Sequence, residues 1–96
     1  MRADYDSEAN AISIDLADVP RWDYSEEVTD RINVALLGDR PVNVEVLYPS
    51  DEACEDLRVA AARYELDAEA LIAALRAALA APDRVVTVDV GVERAA

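Results

Sequence analysis

The chain contains no histidine, no lysine and no phenylalanine, a single cysteine and two glycines in 96 residues. Without His or Lys, the usual general bases and amine nucleophiles are missing. One thiol, Cys54, closes no intrachain disulfide and cannot by itself build a metal site. With Gly only at positions 38 and 91, no glycine-rich loop can cradle a phosphate. No apolar run reaches the length that spans a bilayer, and the opening MRADYDSEAN lacks the apolar core of a signal peptide. The expected location is the cytoplasm, without membrane association.

What is present is acid. Twenty-one Asp and Glu stand against nine basic residues, all Arg, for a formal charge of -12. The acids run through both halves of the chain, and no two Arg are adjacent. A field of that sign repels phosphate, so direct nucleic-acid binding is not expected. It also speeds encounter with a basic protein. The length suits one domain, residues 1–96, with a core of small and branched aliphatics.

Periodicity gives an α+β fold. In RADYD, Ala3 and Tyr5 alternate with Arg2, Asp4 and Asp6. In AISIDL, Ile12, Ile14 and Leu16 alternate with Ala11, Ser13 and Asp15, so that Asp6–Asn10 becomes a hairpin loop. EVTDRINVALL keeps the same phase through Val28, Ile32, Val34 and Leu36, with Asp30 as an exception, and reads as one strand. A Gly38-Asp39 turn leads to VNVEVLY, with Val42, Val44, Val46 and Tyr48 on one face. Residues 1–50 are thus expected to form an antiparallel four-stranded meander with one apolar face.

Residues 51–82 supply its cover as a helical hairpin. Ser50 is placed as the first N-cap, ahead of a stripe of Cys54, Leu57, Ala61 and Tyr64. Asp67 is the second N-cap, ahead of Leu71, Ile72, Leu75 and Leu79, and Pro82 ends the run. RVVTVDVGV, within residues 84–92, then alternates Val86, Val88, Val90 and Val92 as a fifth strand that completes this sheet or pairs with another chain.

The opening residues Tyr5-Asp6, Glu8-Ala9, Ala11, Ile12, Ile14 and Leu16, with the later EEV and VNVEVLYPS, resemble the small bacterial family known as domain of unknown function 2283. The resemblance covers roughly residues 1–50, and Glu45 matches that family's strand glutamate. Asn10, Ser13 and Asn43 depart from its usual pattern. It implies a meander of antiparallel strands, no agreed enzymatic activity and, by analogy, an antitoxin-type role beside a small basic protein.

Several constellations have plainer explanations. Asp4, Asp6 and Glu8 mimic the start of a calcium loop, but a calcium-binding loop wants Gly at its sixth position and a bidentate acid at its twelfth, where this chain has Ala9 and Asp15. Cys54 fits a buried helical stripe better than a reactive thiol. The second helix carries Asp67 and Glu69 at its start and only Arg76 within it, which is poor material for a DNA-recognition helix. No catalytic, cofactor or metal residue is therefore expected.

In PRWDYSEE, large aromatics among charges on a loop suit a contact surface, and the plainer alternative is that Trp22 folds back to cap the open end of the sheet; one ring can serve both. Trp22 and Tyr24 are the expected anchors for a partner, and Asp23, Glu26 and Glu27 the steering charges. The expected function is a non-catalytic acidic module that masks a small basic protein. The alternative is a self-assembling homodimer formed through the last strand or the Ala-rich helices.

Overall fold

The computed structural model describes residues 1–88, so Val90 and Val92 of the expected terminal strand lie outside the described residues. Strands β1 (Arg2–Asp6) and β2 (Ala11–Asp15) form the expected hairpin. Its loop is held by local polar chemistry: the Asp6 carboxylate accepts from the amides of Glu8 and Ala9, and the Tyr5 hydroxyl donates to Asn10 Oδ1 at 2.8 Å. Asn10 takes the left-handed conformation, φ 53°, that an Asn side chain tolerates best after Gly.

The expected strand over residues 27–37 is two strands. β3 (Tyr24–Glu27) and β4 (Ile32–Leu37) form a hairpin, and Asp30, the exception in the alternation, sits in its turn. Thr29 is the physical reason. Its hydroxyl accepts from the amides of Arg31 and Ile32, both at 3.2 Å, and this turn competes with continued extension. A two-residue Gly38-Asp39 loop then joins β4 to β5 (Arg40–Leu47). The register shifts between Ala35, which faces Asn43, and Leu36, which faces Pro41, so that Val42 bulges from β5 next to a proline with no amide hydrogen for the ladder.

The strands do not follow one another across the sheet. Their order is β3-β4-β5-β2-β1-β6, all neighbours antiparallel, so β2 pairs with β5 rather than with the strand that follows it. The four-stranded meander is thus corrected to a hairpin and a three-stranded meander, zipped together where Ile12 faces Val46 and Ile14 faces Val44. β6 (Val85–Thr87) pairs with β1 of its own chain, as the sixth strand and not the fifth.

Helices α1 (Ala53–Tyr64) and α2 (Ala68–Ala80) cover one face. Ser50 is not the first N-cap: α1 begins after a turn in which the amides of Ala53, Cys54 and Glu55 donate to the carbonyls of Ser50, Asp51 and Glu52, with no side-chain cap. Asp67 does cap α2, accepting from the Ala70 amide at 3.1 Å. Between sheet and helices lie Ile12, Ile14, Ile32, Val34, Val44 and Val46 from the strands and Leu57, Leu71 and Leu75 from the helices, all buried. Each contributes about 1.5–3 kcal/mol by leaving water. Ile72 of α2 is buried with them, and the rest of the inward helix faces is alanine, with Ala53, Ala60, Ala61, Ala74 and Ala78 buried, which lets the backbones approach closely. Cys54 and Tyr64 sit half-buried at the margin of this stripe. No helix among the described residues is long and apolar enough to cross a membrane.

Candidate protein-binding edge

Among the described residues β3 is an edge strand, paired with β4 and with no second strand. Both of its ends are pinned. At the start, the Asp23 amide donates to the Leu36 carbonyl at 2.9 Å, and the Asp23 carboxylate accepts from the Gly38 amide at 2.8 Å. At the finish, the Val28 amide donates to the Ile32 carbonyl at 2.8 Å, beside the Thr29 turn. The two aromatics therefore project from fixed backbone. Trp22 is 45% exposed and Tyr24 49% exposed, and neither belongs to the apolar core.

The strand divides the acids between two faces. Tyr24 and Glu26 lie opposite Leu36 and Val34 and share the helix-covered side; Ser25 and Glu27 lie opposite Ala35 and Asn33 on the open side. Glu26 is already engaged, because its carboxylate accepts the hydroxyl proton of Tyr64 at the end of α1. Burial, and then this bond to a carboxylate, hold the Tyr64 phenol above its ordinary pKa. Glu27 is exposed and continues a polar row across the open face, where Asn33 donates to Glu45 at 3.2 Å.

Beyond the Glu27 end, the β3–β4 turn and the start of α1 enclose a groove of about 670 Å³ lined by Val28–Arg31, Glu52, Glu55 and Asp56. Arg31 reaches Glu52 at 3.2 Å and Asp56 at 3.9 Å, while Glu55 reaches Arg58 at 4.0 Å, so the lining holds four acids, counting Asp30, and one arginine. The wall is anionic and half open to water.

All five residues singled out in the sequence thus fall on β3 or its lead-in, with different duties. Trp22, Tyr24 and Glu27 are exposed, whereas Asp23 and Glu26 are tied into the fold by the bonds to Leu36, Gly38 and Tyr64. Sequence reading missed the groove acids and Tyr64. The only signal for them was the pairing of Asp51-Glu52 with Glu55-Asp56 at one helix-turn spacing. Asp4 and Asp6 both lie in the β1 ladder, and the Asp6 carboxylate is taken up by the amides of Glu8 and Ala9. Among the described residues, no group of three or more acids and cysteines is arranged to hold a metal ion.

Compared with protein-family models, curated proteins and solved structures, the chain matches none. The edge must be interpreted from its own chemistry. Its aromatics offer apolar area, its carboxylates accept hydrogen bonds and attract cations, and its backbone offers strand pairing.

Proposed function

We propose that the protein is a non-catalytic acidic binding module that engages a small basic protein, in the manner of an antitoxin masking its toxin. The observation that carries this reading is the exposure of Trp22 and Tyr24 at the start of an edge strand whose far end runs to the acidic groove. Aromatics supply most of the binding energy at protein interfaces, while surrounding charge sets encounter rate and partner choice. The likeness of residues 1–50 to the small bacterial family belongs to the same proposal and motivates the antitoxin comparison.

Affinity purification of the tagged protein from its host at low salt, followed by a rising salt gradient, tests the reading. A single small basic protein should elute as the salt rises, and Trp22→Ala with Tyr24→Ala should weaken its retention by at least about tenfold, the scale of a lost interface hot spot. Elution of the protein alone, with a dimeric mass in solution, would replace this reading with the self-assembling homodimer.

A further inference from the structure

We propose that β3 receives an extended basic segment of the partner as a seventh strand, hydrogen-bonded to Ser25 and Glu27. This mode of binding rests on the acidic-module reading above.

The bond from the Val28 amide to the Ile32 carbonyl makes Glu27 and Asn33 a facing pair that exchange no hydrogen bonds with each other. By alternation, Glu26–Val34 and Tyr24–Leu36 carry the ladder. Ser25 and Glu27 therefore aim their backbone N–H and C=O groups away from β4, toward the free edge. Edge strands are usually blunted by proline, lysine, a bulge or a covering segment. Tyr24-Ser25-Glu26-Glu27 has no proline; what guards it is its shortness, four residues, and its two carboxylates, which discourage every incoming strand but a basic one.

The charges choose the occupant. Pairing with β3 of a second copy would crowd Glu26 and Glu27 of both chains onto one short ribbon, and like charges across strands destabilise a sheet. A strand carrying Arg or Lys gains from the same carboxylates. Side chains of the incoming strand that face Ser25 and Glu27 fall on the open side, next to the row of Glu27, Asn33 and Glu45. Those that face Tyr24 and Glu26 fall on the helix side, beside the exposed tyrosine ring. Past Glu27 the segment reaches the groove, where Asp30, Glu52 and Asp56 outnumber Arg31. The recognised sequence is accordingly one of alternating basic and apolar residues, spanning roughly 13 Å where it pairs with β3.

Two fluorescent peptides test this on the full chain. One alternates Arg and Val; the other has the same sequence N-methylated at every residue, which keeps the charge and removes every backbone donor. The first should bind at low salt and the second at least about tenfold more weakly. Ser25→Pro deletes an edge-facing N–H while sparing the bonds to β4, and should weaken the first peptide similarly with the circular dichroism unchanged. Equal affinity for both peptides, with Ser25→Pro without effect, would overturn strand addition and leave the acidic-module reading standing. Failure of both peptides to bind while a basic protein still elutes with salt would overturn strand addition alone; failure of both together with no such protein would overturn the reading as well.

Discussion

At the scale of single residues, two aspartates of one fold are pushed in opposite directions. Asp83, between α2 and β6, accepts from the Ser7 amide at 2.9 Å and the Ser7 hydroxyl at 2.7 Å, and these bonds hold its carboxyl below the ordinary value. Asp4 is held above it, first by partial burial and then by Asp15 and Asp6. A depressed carboxyl contributes stability that is present above its unfolded pKa and lost as pH falls through its folded pKa. A raised one contributes stability that is present below its unfolded pKa and lost as pH rises through its folded pKa. Carboxyl NMR titration should therefore place Asp83 below and Asp4 above the ordinary aspartate, and Asp4→Asn should stabilise the protein at neutral pH by up to about 0.5 kcal/mol, the scale of exposed charge pairs. Destabilisation of Asp4→Asn at neutral pH would show that its charge is compensated. Asp83 is inconspicuous in the sequence, because it meets Ser7 across 76 positions.

Elements were more legible than residues. The alternation in AISIDL and VNVEVLY and the Leu71, Ile72, Leu75 stripe identify β2, β5 and α2 because each buries one face and leaves the other wet. The Gly38-Asp39 turn was equally plain. Gly38 has φ 64°, and a side chain added there would meet no atom within 4 Å, so the requirement for glycine is one of backbone conformation alone. Gly38→Ala should cost about 1–2 kcal/mol, the penalty of a left-handed backbone, and lower Tm by several degrees; an unchanged Tm would mean that the β4–β5 loop relaxes into another turn. The β3–β4 turn was illegible because Val28 and Ile32 keep the strand phase on both sides of it, and only Thr29, a good strand former, breaks the chain. The start of α1 was missed for a related reason. Ser50 has the chemistry of a cap, but its carbonyl, not its hydroxyl, takes the Ala53 amide.

At the scale of the molecule, what periodicity could not supply is the pairing of β2 with β5. Their facing residues are drawn from segments some thirty positions apart, and any two apolar-faced strands satisfy the same pattern. The order of the sheet decides which strand is left at the edge, and so it decides that the aromatic pair found in PRWDYSEE flanks free backbone rather than a simple loop. The charge was legible from the outset, and its consequence for stability can be weighed. Arg2, Arg31 and Arg58 bridge to six acids, but mostly through exposed side chains, and such bridges are worth little. Against them stands a net charge of -12 within a body 32 × 30 × 27 Å across. At about 10 mM salt the screening length is about 30 Å, so charges repel across the whole fold; at about 1 M it falls to about 3 Å. Repulsion should dominate, and Tm should rise with added salt by roughly 4–8 °C for each kcal/mol of repulsion relieved. A Tm that falls instead would show that the ion pairs around Arg31 and Arg58 outweigh the net charge. The acidic wall beside β3 would then be largely neutralised by its own arginine and have little attraction left for a basic partner.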